Sequence, residues 1–159
     1  MILNRQRRIR VPSKKLEKFL ARAQKEVRLP AGSLTVCLVT NAEIARWNRG
    51  YRDKNGPTDV LSFPVNAGTT THRNRKNDLF FASPPSGLTS AARHDYLGDI
   101  AIAPAVARRN ARRFGRTFED EMRILILHGM LHLMGYDHET DSGQMARRER
   151  RLRRTLGLA

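Results

Sequence analysis

A single cysteine in 159 residues leaves no internal disulfide to form. Cys37 lies in Leu34-Thr35-Val36-Cys37-Leu38-Val39, a stretch that reads as a buried strand with the thiol as a small core hydrophobe. Long hydrophobic runs are also missing. The longest purely aliphatic one is Ile124-Leu125-Ile126-Leu127, far short of the roughly 20 residues that cross a bilayer, so a membrane span is excluded. The basic start Met1-Ile2-Leu3-Asn4-Arg5-Gln6-Arg7-Arg8 has no apolar stretch behind it, so it is not a secretory signal and a cytoplasmic location is expected. No internal repeat or heptad array appears. Acidic residues are scarce as well, with 15 Asp plus Glu against 30 Lys plus Arg and a formal charge of +15.

That imbalance, carried mostly by arginine, points to a polyanionic partner. The guanidinium is a planar, multi-donor fork suited to phosphate oxygens, and neutralising many phosphates at once releases counterions. Charge alone does not separate nucleic acid from an anionic surface. The length suits one compact unit, so residues 1–159 are expected to form a single catalytic domain.

Along the chain, Pro12-Ser13 opens a helix with Leu16, Phe19, Leu20, Ala23 and Val27 at helical spacing. A strand follows over Ser33 to Thr40. Thr40-Asn41-Ala42-Glu43 has the capping-box pattern, which predicts a short helix through about Arg49. A turn-rich loop, Tyr51 to Asp59, leads into the strand Val60-Leu61-Ser62-Phe63, closed by Pro64. From about 66 to 96 the composition shifts to Gly, Ser, Thr, Pro and Arg, which marks an insertion with little regular structure. Strand character resumes over Leu97 to Ala103, and Pro104 suits the first turn of a helix to about Phe114. On that helix Arg108, Arg112 and Arg116 share a face with Arg109 and Arg113 beside them, either a phosphate-facing stripe or a solvated one. Thr117 caps a central helix, apolar almost all round through Met134 and stopped by Gly135. A basic helix, Gln144 to Leu156, ends the chain.

The chemistry concentrates in His128-Gly129-Met130-Leu131-His132-Leu133-Met134-Gly135-Tyr136-Asp137-His138. His128 and His132, four apart on a helix, leave the same face, and a left-handed turn at Gly135 returns His138 as a third ligand. Three imidazoles with a fourth position left open is the arrangement of catalytic rather than structural zinc. The spacing also matches the zinc-protease pattern His-Glu-x-x-His-x-x-Gly-x-x-His, except that Gly129 stands where the protease needs its glutamate base. That departure argues against peptide hydrolysis.

The whole motif resembles the signature of the YbeY family of bacterial endoribonucleases, the rRNA maturation factors, which reads His-Gly-x-Leu-His-Leu-x-Gly-Tyr-Asp-His. Asn48-Arg49-Gly50-Tyr51-Arg52 with Pro57-Thr58-Asp59-Val60-Leu61-Ser62-Phe63-Pro64 resembles a second block of that family, and Leu97-Gly98-Asp99-Ile100 a third. The resemblance implies an α+β fold, a small mixed sheet packed with helices around a metal-binding central helix, related to zinc-dependent hydrolases. It implies one zinc ion on His128, His132 and His138, and cleavage of single-stranded RNA linked to 16S rRNA 3′-end maturation and ribosome quality control. RNA, the ribosome or its subunits, and ribosome-associated proteins are the partners it implies. Arg52 matches the family's cleft arginine, where a guanidinium would hold the scissile phosphate.

Asp99 and Asp137 are candidates for orienting a ligand histidine, with loop or capping roles as the alternative. The expected chemistry is metal-assisted phosphodiester hydrolysis, with water and the RNA 2′-hydroxyl both left open as the attacking group. A zinc-stabilised ribosome-assembly factor that mainly binds is a second reading, and a metallopeptidase, disfavoured by Gly129, a third. Two features depart from the family pattern: the long 66–96 segment, a candidate lid or RNA-contacting arm, and the unusually basic stretch Arg147 to Arg154.

Overall fold

The elements run β1 (Ile2–Asn4), α1 (Ser13–Glu26), β2 (Leu34–Leu38), α2 (Asn41–Arg52), β3 (Val60–Pro64), β4 (Gly98–Ile102), α3 (Pro104–Arg113), α4 (Phe118–Leu133) and α5 (Gln144–Thr155). This computed structural model describes residues 1–65 and 95–158. The segment read as an insertion lies outside them, apart from Asp95 and Tyr96. Tyr96 is corrected from insertion to core, since it is 2% exposed and hydrogen-bonds Thr35 and Asp99.

The fold is α+β, as the resemblance implied. Among the described residues the sheet has the order β1-β2-β4-β3, with β1, β2 and β4 parallel and β3 antiparallel to β4. β2 and β4 are buried at every position, as central parallel strands covered on both faces must be. Because strand side chains alternate, each strand feeds two cores. Leu34, Val36, Leu38, Ile100 and Ile102 face α1, α4 and α5 in the larger one. Cys37, Val39, Ala101 and Ala103 face Ile44 of α2 in the smaller. Burial pushes the Cys37 thiol up to about 12, which keeps it an inert apolar group. Pro64, which cannot donate to a ladder, sits on the edge strand β3.

α4 is the buried helix. Met122, Ile126, Leu127, Met130 and Leu131 are fully covered, and its N-terminus is closed by the Thr117 hydroxyl, which accepts from the Asp120 N–H. Gly129 makes that depth possible. A Cβ there would lie 2.7 Å from Ile100 Cγ2, so only a residue without a side chain lets α4 rest directly on β4.

Two expectations shift. β1 was not anticipated: it is a strand because Ile2, Leu3 and Asn4 pair with Val36, Cys37 and Leu38. α2 forms the expected capping box at Thr40 and Glu43 but runs past Arg49 to Arg52. Asp53 takes the left-handed position at φ 53° with its N–H on the Arg49 carbonyl, and Asp is among the few non-glycine residues that visit this region readily. Tyr51 and Arg52 therefore belong to the last helical turn rather than to a loop. No helix among the described residues is long and apolar enough to cross a membrane.

Candidate metal centre

His128 and His132 stand four apart on α4, both only partly buried where the residues around them, Leu127, Gly129, Met130, Leu131 and Leu133, are buried. The helix then ends in a Schellman motif: the Gly135 N–H bonds the His132 carbonyl and the Tyr136 N–H bonds the Leu131 carbonyl, with Gly135 at φ 94°. The reversal carries the chain to Asp137, whose carboxylate accepts from the Glu139 N–H and the Thr140 hydroxyl. The turn so built holds His138 against the other two rings. Ring centroids lie 4.8, 5.4 and 5.2 Å apart, and one ligand nitrogen from each histidine falls within 4.8 Å of the others.

The hydrogen bonds around the rings fix which nitrogens face inward. His128 Nδ1 lies 3.0 Å from Glu149 Oε2, a carboxylate that only accepts, so Nδ1 carries the proton. His132 hydrogen-bonds the Tyr136 backbone. The N–H of Tyr136 is already committed to Leu131, so the ring donates to its carbonyl. Both Nε2 atoms are then lone pairs, and they face each other 3.2 Å apart. Two acceptors at that distance repel unless a cation lies between them. Two nitrogens bound tetrahedrally to an ion about 2.0–2.1 Å away would stand about 3.3 Å apart, so the donor set and spacing fit a metal ion. Burial lowers the pKa of His132, and the neighbouring His128 and His138 push it the same way, which keeps the ring neutral as a ligand must be.

Glu149 was not foreseen. It comes from α5, is 9% exposed, and also accepts from the Arg153 guanidinium. Burial alone would raise its pKa, but the hydrogen bond from His128 and the charge of Arg153 outweigh this and hold it below the ordinary range. The signal was in the sequence: Met145, Glu149, Leu152 and Leu156 recur at helical spacing, and a lone carboxylate on an apolar stripe needs a partner.

The histidines line a cleft of about 510 Å³ that also takes in Tyr51, Arg52, Thr58, Asp59 and Ser62. Ser62, on β3 and in register with Ile100, donates to the Gly129 carbonyl and ties the cleft wall to α4. Arg52 Nη2 pairs with Glu139 Oε1 at 2.9 Å, directly beside His138. Asp137 lies in the cleft wall, but it bonds its own turn rather than a ring. Its pKa is held down first by the Glu139 N–H and then by the Thr140 hydroxyl and the nearby histidines.

Asp99 is corrected more sharply. Strand alternation turns its side chain to the α2 face of the sheet, away from α4, where it accepts from Tyr96 while Oδ2 has no partner among the described residues. The carboxylate that meets a ligand histidine is Glu149, not Asp99. Of the arginines on and after α3, Arg108 covers Phe118, Arg113 and Arg116 flank Phe114, and Arg116 pairs with Glu121.

Comparison with known proteins is consistent across the chain. The family model described as Endoribonuclease YbeY matches residues 1–157. A protein named Endoribonuclease YbeY from Solibacter usitatus (strain Ellin6076) is 43% identical over 143 residues, covering 90% of this chain and 78% of the relative. One of the same name from Koribacter versatilis (strain Ellin345) is 35% identical over 158 residues, covering 99% and 86%. Among solved structures, the solution structure of TM1509 from Thermotoga maritima superposes with a TM-score of 0.56 at 27% identity, covering 98% of this chain and 89% of that one.

Proposed function

This chain belongs to the endoribonuclease YbeY family, and from that membership we propose that it is a zinc-dependent endoribonuclease that cuts single-stranded RNA. In this reading its substrate is 16S rRNA at the maturing 3′ end, its wider role is ribosome quality control, and its partners are ribosomal subunits and their associated proteins. The chain acts as one domain in the cytoplasm. The observation that carries the reading is the pair of inward-facing Nε2 lone pairs, completed by His138 and opening onto a cleft that also holds Arg52.

His128, His132 and His138 would hold the ion. Three neutral imidazoles with a position left open suit zinc, which when bound supplies Lewis-acid chemistry at a phosphate oxygen or an attacking hydroxyl. The protein's own residues do the rest. Glu149 and the Tyr136 carbonyl fix two of the rings in the ligating tautomer. Arg52 takes the scissile phosphate. Its present partner, Glu139, is more than half exposed, and such a pair is worth only about 0–1 kcal/mol. A phosphate, which accepts bidentately from a guanidinium, displaces it at small cost. The +15 charge steers the RNA backbone toward the cleft. The peptidase alternative loses ground on packing: Gly129 occupies the position of the protease glutamate, and Ile100 leaves no room there for any side chain.

The test is gel-resolved cleavage of single-stranded RNA, and of rRNA with an extended 3′ end, by wild type and His132→Ala, with bound metal measured in both. The expected result is cleavage by wild type carrying one zinc per chain, and none by a folded His132→Ala. Equal cutting by both would sink the metal-centre reading, and RNA binding without cutting by either would favour an assembly factor.

A further inference from the structure

Tyr51 is a large aromatic residue in the cleft that none of the chemistry above uses. It is 54% exposed on the last turn of α2, next to Arg52, in a chain with only 6% aromatic residues. Its placement is built. Trp47 and Tyr51, four apart on α2, both meet Phe63 of β3, with ring centroids 6.1 and 4.9 Å away and interplanar angles of 84° and 66°. Phe63 thus packs against the Tyr51 ring, Tyr51 is still 54% exposed, and the cleft it lines is the one holding the three histidines.

We propose that Tyr51 is a nucleobase-stacking platform, seating an unpaired base beside the phosphate held by Arg52. This rests on the endoribonuclease reading and adds to it a reason for single-strand selectivity. In a duplex both faces of a base are covered by its neighbours, whereas an unpaired base offers a free π-face. Stacking is tolerant of base identity because every base has such a face, so the platform would select for strandedness more than for sequence. A tyrosine has two side-chain torsions, and here the contact with Phe63 has already restricted them, so little freedom is lost on binding. The adjacent guanidinium and ring present phosphate and base contacts from consecutive residues of one helical turn.

The experiment measures binding of a ten-nucleotide oligoadenylate by the zinc-loaded protein as wild type, Tyr51→Phe, Tyr51→Leu and Tyr51→Ala. A duplex of the same sequence and inorganic polyphosphate of similar charge serve as comparison ligands. The Leu and Ala variants are expected to lose about 5- to 150-fold in affinity for the single strand, the effect of one lost base stack. Tyr51→Phe is expected to restore it, and affinity for polyphosphate and duplex to stay within about twofold of wild type. Single-strand affinity unchanged in Tyr51→Ala overturns the proposal, as does an equal loss for all three ligands, or no single-strand binding by wild type. Cleavage assayed on the same samples separates the two ideas. Tyr51-dependent binding without cutting removes the nuclease reading and leaves the platform. Cutting that does not depend on Tyr51 does the reverse.

Discussion

Replacing Glu149 tests whether the α5 carboxylate prepares the metal centre. Its Oε2 accepts a hydrogen bond from His128 Nδ1–H at 3.0 Å, and its Oε1 accepts from Arg153. In Glu149→Ala the imidazole loses its carboxylate contact, so the tautomer with Nε2 as a lone pair is no longer enforced and the ring is free to turn. Arg153, with about a quarter of its side chain exposed, loses its acidic partner and becomes an unopposed positive charge near an incoming cation. Loss of such an outer carboxylate typically lowers metal affinity about 10- to 100-fold, which corresponds to about 1.4–2.7 kcal/mol. Glu149→Gln keeps an acceptor for Nδ1–H but turns an amide donor toward Arg153, so an intermediate loss is expected. Zinc affinity is read by competition with a chromophoric chelator, and the His128 tautomer by ¹⁵N NMR of the metal-free protein. Unchanged affinity and an unchanged Nδ1–H tautomer in Glu149→Ala would refute the reasoning, because the ring would then be oriented by packing alone.

Two further outcomes follow from packing and burial. Gly129→Ala drives a methyl to 2.7 Å from the branched Ile100 side chain, so a stability loss of about 1–3 kcal/mol is expected. Urea unfolding of the metal-free protein measures it, and a midpoint equal to wild type would show that α4 and β4 can separate freely. Asp99 gives the pH test. Burial raises its pKa from 3.8 to about 6, against the opposing hydrogen bond from Tyr96. The folded state therefore holds this proton more tightly than the unfolded one. Its contribution is favourable in acid and is lost as pH rises from about 4 through 6, a change on the order of 3 kcal/mol. Asp99→Asn cannot titrate, so wild type should weaken relative to it across that window in urea unfolding of the metal-free proteins. Parallel pH profiles would exclude a raised Asp99 pKa.

The metal centre was legible because it is local. Two ligands share one helix face, and the third returns through a turn whose chemistry is written in Gly135, Tyr136 and Asp137, so spacing alone places all three. What was missed depends on pairings that are distant in sequence. Ile2 to Asn4 is too short to show alternation, and only its ladder with β2 makes it a strand. Arg52 reads as loop from sequence because the extension of α2 turns on Asp53 accepting a left-handed conformation, and composition does not report that choice. Asp99 was misplaced although its environment could have been read. Ile100 and Ile102 mark the α4 face of β4, so by strict alternation residue 99 belongs with Ala101 and Ala103 on the other. Glu149 is hidden for the opposite reason, since the arginines around it make the whole helix read as a charged solvated face. Yet the large apolar residues of α5 and its C-cap fall at 145, 152 and 156, and 149 completes their stripe. A carboxylate at such a position is buried by the fold and must find a proton donor. Here it finds two, the Nδ1–H of His128 on the central helix and the Arg153 guanidinium one turn further along α5.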